Sequence, residues 1–165
     1  MGIFKKLFGS KKEASSKPDF IKLIQSEDTN NSIIAIDNYI SALCDYGNKI
    51  DVLTTPQKYF FFNQNLEREV NNGGFSQYFL NSSGDFALHT VDSLIAIGAE
   101  KTALLLKTAM SNFPEGNVPE SRNERHKIFP EKDDKWDKLD EIFYQYQDDL
   151  NTLNLEYIKK HIEQF

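Results

Sequence analysis

The chain has 165 residues and a formal net charge of -6, with 39% hydrophobic and 27% charged residues. This length and composition are typical of one globular domain with one core, and they exclude an intrinsically disordered chain. A single cysteine, Cys44, excludes an internal disulfide, and three scattered histidines give no spacing for a zinc site, so we expect neither metal nor cofactor.

The charge is divided unevenly along the chain. Residues 1–22 carry six lysines and two acids, a net charge of +4, which leaves -10 for residues 23–165. We interpret residues 1–18 as a basic flexible tail and residues 19–165 as a single domain. Binding of a polyphosphate depends on cations that replace its counterions. We therefore expect a basic protein as the partner and no direct binding of nucleic acid.

The first residues allow two interpretations. Ile3, Phe4, Leu7 and Phe8 could form one amphipathic turn that makes a weak contact with a membrane surface, or they could be a frayed terminus. The frayed terminus is favoured because so short a helix is marginal in water. No apolar stretch approaches the ~20 residues of a membrane-spanning helix, and the features of a secretory signal are missing. A cytoplasmic location is the expectation.

The next part of the chain has helical periodicity and helical stop signals. Apolar residues from Ile33 to Leu43 recur at intervals of three and four, which predicts a helix that ends near Gly47. Thr54 and Gln57 have the spacing of a capping box and predict the start of another helix, which residues 71–74 end with two asparagines and two glycines.

The middle of the chain predicts a helical hairpin. Aromatic residues 75–79 indicate a short helix after the glycines, and Asp85 is predicted to cap a helix over residues 86–97. Gly98 ends that helix, and residues 99–113 hold a further apolar period. So short a connection makes the two helices antiparallel neighbours.

The last part predicts three more helices. Ser121 and Glu124 form a second capping-box pattern, residues 133–150 predict one long helix, and residues 155–162 predict the final one. The apolar side of the long helix would consist of Trp136, Leu139, Phe143, Tyr146 and Leu150. The sole candidate strand is residues 49–53. The fold class is therefore all-α, a single compact domain of about seven helices with antiparallel helical hairpins.

Catalytic signatures are missing from the sequence. It has no phosphate-binding glycine loop, no dinucleotide fingerprint and no nucleophile elbow. Cys44 ends an apolar helical stripe and is interpreted as a core residue. His89 lies inside a predicted helix and is interpreted as a structural or surface histidine. We expect a protein that is not an enzyme.

Residues 67–85 form the most distinctive segment, E-R-E-V-N-N-G-G-F-S-Q-Y-F-L-N-S-S-G-D. This segment resembles the core motif of the bacterial DNA-mimic protein family, whose C-terminal domain was long a domain of unknown function. The resemblance continues through residues 97–99, 113–114, 122–125 and 157–161, and covers roughly residues 54–165. It implies an all-α fold, often a homodimer, and acidic groups presented in place of DNA phosphates to a basic transcription regulator.

The same segment supports an alternative function. Its polar side chains could line a pocket of an enzyme or a small-ligand binder if they converge on a concave site. The candidate pocket residues are Glu67, Asn71, Asn72, Gln77, Asn81 and Asp85.

The predicted helix over residues 133–150 carries the candidate partner-binding surface. At about 100° per residue, six of its acids fall within an arc of about 120°, apart from the apolar side and from Lys135 and Lys138; they are Asp133, Asp134, Asp137, Asp140, Glu141 and Asp148. The predicted contact residues are Asp133, Asp137, Asp140, Glu141 and Asp148. Carboxylates one turn apart recur every ~5.4 Å, against ~3.4 Å per phosphate on a DNA strand. A DNA mimic would need a second acidic row, from Glu115, Glu120, Glu131, Glu156 or a partner copy; a solvated helix face is the alternative.

Overall fold

A computed structural model describes residues 16–129 and 134–165. These residues form eight α-helices joined by loops and 3-10 turns, with no strand among them, which confirms the all-α prediction. The helices are α1 (Phe20–Ile24), α2 (Thr29–Leu43), α3 (Thr55–Leu80), α4 (Ala87–Ile97), α5 (Glu100–Met110), α6 (Arg122–Ile128), α7 (Asp134–Phe143) and α8 (Leu150–Lys160). The 3-10 turns are Asp45–Gly47, Ile50–Val52, Ser82–Phe86, Pro114–Gly116 and Ile162–Gln164.

Helix α3 is the central element, and α2, α4, α6, α7 and α8 all pack against it. Its start confirms the predicted capping box. The hydroxyl of Thr54 accepts a hydrogen bond from the Gln57 N–H at 3.3 Å, and the Gln57 side chain accepts one from the Thr54 N–H at 3.0 Å. These two bonds satisfy donors that a helix start otherwise leaves without partners.

The two glycines of α3 interrupt the helix, as the sequence predicts. Gly73 has φ -163° and ψ 25°, while Gly74 has φ 75° and ψ -179°. The Gly74 conformation is accessible essentially to glycine alone, whereas the extended φ of Gly73 suits any residue. The break lets residues 75–80 resume as a separate helical segment.

The predicted hairpin of α4 and α5 is present, with Gly98 in the left-handed conformation at φ 86°. The residue that caps α4 was predicted wrongly. Phe86 precedes α4 and supplies no side-chain cap, while Asp85 lies within a 3-10 turn and pairs with Arg125. The capping box at Ser121 is also wrong, because Ser121 makes no capping hydrogen bond although α6 starts next to it.

The long helix predicted over residues 133–150 is two helices. Helix α7 ends at Phe143, the chain turns through Tyr146 at φ 46°, and α8 begins at Leu150. The side chain of Asp149 caps α8 by accepting the Thr152 N–H at 3.0 Å. The turn places Tyr146 on the surface, 42% exposed, although the other four residues of the predicted apolar side are buried.

The core consists of two hydrophobic clusters joined through Tyr59. One cluster lies between the C-terminal part of α3 and α4, α5 and α7, around Phe79 and Trp136. The other lies between α1, α2, the N-terminal part of α3 and α8, and includes the buried Cys44, which confirms its core assignment. Burial raises the pKa of the Cys44 thiol.

The predicted tail lies mostly outside the described residues, as does the predicted membrane contact through residues 3–8. Within the described part, the Lys17 ammonium donates to the backbone carbonyl of Phe165 at 2.5 Å and lies 5.7 Å from the centroid of the Phe20 ring. None of the described helices is long and apolar enough to cross a membrane.

Candidate functional site

The exposed face of α7 keeps part of the predicted acidic surface. Asp134, Asp137 and Glu141 are exposed, and at about 100° per residue they fall within about 60° of one another. We call these three residues the acidic row. None of the ion pairs between described residues involves them. Asp133, which the sequence also assigns to this surface, lies outside the described residues.

Asp140 does not belong to an exposed surface, so its assignment is wrong. Its residue surface is 9% exposed, and its Oδ1 accepts the Phe75 N–H at 2.8 Å. Phe75 directly follows the glycine break, so the carboxylate satisfies a backbone donor where the second segment of α3 begins. A Cβ at Gly74 would lie 2.1 Å from Oδ2 of the same carboxylate, and therefore glycine is needed here for space as well.

Asp148 is likewise wrongly assigned to the acidic face of α7. It lies beyond the end of that helix, and its Oδ2 accepts from both the N–H and the hydroxyl of Thr102, at 2.7 and 2.9 Å. Thr102 lies in the first turn of α5, whose own N-cap, Ala99, supplies no side-chain cap. Asp148 thus caps another helix from a distance.

The six candidate pocket residues do not form one pocket. Glu67 and Asn71 meet the hydroxyl of Tyr146: the hydroxyl donates to Glu67 Oε1 at 3.0 Å and accepts from Asn71 Nδ2 at 2.5 Å. Burial raises the pKa of the Glu67 carboxyl, while hydrogen bonds from Tyr146 and Gln64 act in the opposite direction. Asn72 is exposed.

Gln77 and Asn81 belong to a second group, centred on a residue that the sequence prediction omitted. Both side-chain amides donate to Glu69 Oε2 at 2.8 Å, and the Ser83 hydroxyl donates to Glu69 Oε1 at 3.3 Å. A side chain at position 73 would crowd this group, because a Cβ there would lie 2.1 Å from Gln77 Oε1. The side-chain amides of the motif therefore bind the Glu69 carboxylate as uncharged donors.

Asp85 belongs to a third group, centred on Arg125. This arginine is 0% exposed, and it donates to the backbone carbonyls of Phe79, Asn81, Pro119 and Glu120 as well as to Asp85. Gly84 leaves room for the Arg125 guanidinium, because a Cβ at position 84 would lie 2.9 Å from Arg125 Nε. Arg125 joins α6 to the end of α3 and acts structurally.

The described part of the chain has no candidate metal site. No group of three or more histidine, cysteine, aspartate or glutamate residues there could hold a metal ion. His89 is exposed and stacks on Phe62, with ring centroids 5.9 Å apart. Tyr78 is fully buried and donates to the Thr90 hydroxyl at 2.9 Å, and burial raises its pKa.

The described residues thus form an all-α domain around a helix that two glycines interrupt, and the side-chain amides of Gln77 and Asn81 donate to Glu69. Residues 51–161 match the model of the DMP19-like protein family, and the chain belongs to that family. The match confirms the resemblance found in the sequence. It begins after α2 and the turn that follows, so both lie outside the matched range. No curated protein and no solved structure matches the chain.

Proposed function

We propose that this chain is a non-enzymatic interaction module that binds the basic surface of a DNA-binding regulator. The acidic row of Asp134, Asp137 and Glu141 on the exposed face of α7 is the observation that carries this proposal. The net charge of -10 over residues 23–165 supports it, because such a body repels DNA and attracts cationic proteins. Family membership also supports it, through the acidic mimicry that the resemblance implies.

The acidic row alone is too sparse for a full DNA mimic. Three carboxylates span eight residues, about 10 Å along the helix axis, where one DNA strand presents a phosphate every ~3.4 Å. A second row must therefore come from elsewhere on the body or from a second copy of the chain. Glu115, Glu120 and Glu156 are exposed and can contribute, while Glu131 lies outside the described residues.

The first test identifies the partner and then removes the row. The tagged chain would be used to capture proteins from its native cytosol at rising salt, since contacts between exposed charges weaken when they are screened. The captured partner's affinity would then be measured for the parent and for the triple variant Asp134→Asn, Asp137→Asn, Glu141→Gln. We expect the triple variant to bind at least ~10-fold more weakly, from the loss of three charges at a contact.

A matched variant separates the row from total charge. Glu27→Gln, Asp92→Asn and Glu163→Gln also remove three negative charges, at exposed positions outside α7. This control should bind like the parent. Equal weakening of both triple variants would leave only a non-specific charge effect, and parental affinity of the α7 variant would remove the row from the proposal.

A further inference from the structure

A cleft of about 430 Å³ lies where the turn after α2 meets α3 and the 3-10 turn over residues 82–86. Pockets that hold small ligands are typically ~300–1,000 Å³. The residues that decide its chemistry are Tyr46, Phe86, Arg68, Glu69 and Asp85. The acidic row is not part of it, so the cleft is independent of the proposed function.

The wall formed by the turn has an unusual backbone. Asp45, Tyr46 and Gly47 all have positive φ, at 51°, 55° and 97°. Gly47 packs closely against the rings of Phe61 and Phe86, which line the cleft. A Cβ at Gly47 would lie 3.4 Å from Phe61 Cζ and 3.8 Å from Phe86 Cε2. Consecutive left-handed residues with side chains are uncommon and are retained where surrounding structure fixes them. The turn holds the Tyr46 side chain, 65% exposed, at the edge of the cleft.

The charges that line the cleft leave one carboxylate without a cation. Arg68 donates to Asp37 at 2.6 Å, and Asp85 pairs with the buried Arg125. Glu69 has no ion pair among the described residues and is held by three neutral donors. A carboxylate has about four acceptor positions, and two of these three bonds use Oε2. Oε1 therefore keeps capacity for one more donor.

We propose that this cleft binds the guanidinium or ammonium group of an alkyl chain. Oε1 of Glu69 accepts an N–H of the cation, and the Tyr46 and Phe86 rings supply aromatic faces that attract it. The uncompensated charge of Glu69 selects a cation over an anion. Two sources have this chemistry, a free organic amine and an arginine or lysine side chain of another protein.

The test titrates the full ¹⁵N-labelled chain with small probes and follows amide shifts at residues 46–48, 69 and 82–86. Agmatine represents a free amine, and N-acetyl-arginine amide represents a side chain within a polypeptide. N-acetyl-citrulline amide has nearly the same shape without the charge. We expect saturable shifts with at least one cation and none with the citrulline compound. Stronger binding of agmatine assigns the site to a free amine, and stronger binding of the arginine amide assigns it to a side chain.

Two variants test the assigned contacts. Glu69→Gln keeps the shape of the side chain and should weaken binding at least ~10-fold, from the loss of a charged hydrogen-bond acceptor. Tyr46→Asn removes the ring but suits the left-handed backbone, and should weaken binding about two- to fivefold. Asp92→Asn, on the exposed face of α4, is the charge control and should bind like the parent.

Three results would contradict the proposed cation site. Missing shifts with both cations, equal shifts with the citrulline compound, or unchanged affinity of a Tyr46→Asn variant and a folded Glu69→Gln variant would each overturn the proposal. Thermal melting of each variant shows whether it is folded. Loss of partner binding in the α7 triple variant would leave these shifts intact, so this proposal and the proposed function fail separately.

Discussion

At the scale of single residues, the carboxylates of this protein divide into structural and surface groups that look alike in the sequence. Asp140 and Asp148 accept hydrogen bonds from backbone N–H groups of other elements, and Glu69 accepts hydrogen bonds from three neutral side chains. Asp137 and Glu141 lie on the same helix as Asp140 yet are exposed. Partners that are distant in the chain decide which acids remain for binding.

The buried Arg125 should be the most sensitive of these residues. Arg125→Met leaves four backbone carbonyls and Asp85 without their donor, and we expect a loss of about 3–5 kcal/mol in the free energy of unfolding. Arg122→Met is the matched control, because this exposed arginine donates to Leu80 O at 2.8 Å and should cost about 1 kcal/mol or less. Urea denaturation measures both, and similar losses would refute the central role of Arg125.

The raised pKa of Glu67 predicts a defined pH dependence. Below about pH 4.5, its ordinary pKa, the carboxyl is protonated in both the folded and the unfolded chain. Between that value and the raised pKa, the folded chain holds a proton that the unfolded chain has released, so the free energy of unfolding falls as pH rises. Glu67→Gln removes the titrating carboxyl and therefore this pH-dependent fall in the free energy of unfolding.

The stability gained by Glu67→Gln over the parent should therefore increase as pH rises from about 4.5 towards neutrality. Denaturant unfolding at a series of pH values measures it, with Glu141→Gln as the control for loss of one exposed charge. A stability difference between Glu67→Gln and parent that is the same at every pH would contradict the assigned cause.

At the scale of elements, the break in α3 organises the candidate site. It allows the second segment of α3 to present Gln77 and Asn81 to Glu69 on the first segment. Asp140 of α7 satisfies the backbone N–H that the break exposes. The glycine motif therefore has a structural role, because the backbone N–H that follows it binds Asp140 and so connects α3 to α7.

The two glycines should respond differently to alanine. Gly74→Ala forces a side chain into a glycine-only conformation and against Asp140, so we expect a loss of about 2–4 kcal/mol. Gly73→Ala meets the movable end of Gln77 without backbone strain, and should cost about 1 kcal/mol through a disturbed hydrogen bond. Differential scanning calorimetry compares them. An equal or larger effect at Gly73 would contradict this account of the break.

The sequence predicts those elements whose signals are local. The capping box at Thr54 and the left-handed Gly98 are both present where their residue types indicate. The break between α7 and α8 was missed because Phe143, Tyr146 and Leu150 continue the helical spacing through it, and neither glycine nor proline marks it. Asp149 was the available signal, as an N-cap before an apolar run.

At the scale of the whole molecule, the candidate site was less predictable than the fold. Contacts such as Arg125 with Phe79 O or Asp148 with Thr102 join residues more than 40 positions apart. Their partners depend on how helices pack, which residue spacing alone does not determine. The net charge of residues 23–165 depends on no such contacts, and it remains the most direct support that the sequence gives to the proposed cationic partner.

The central claim is that the chain occupies the DNA-binding surface of a basic protein, and competition tests it most directly. With the partner identified by capture, fluorescence anisotropy of a labelled DNA duplex bound to that partner would be followed while the chain is added. We predict that the parent chain displaces the duplex, that the α7 triple variant requires at least ~10-fold more protein to do so, and that the chain alone leaves the duplex free. A ternary complex in which the partner's basic domain holds DNA and this chain together would contradict the claim.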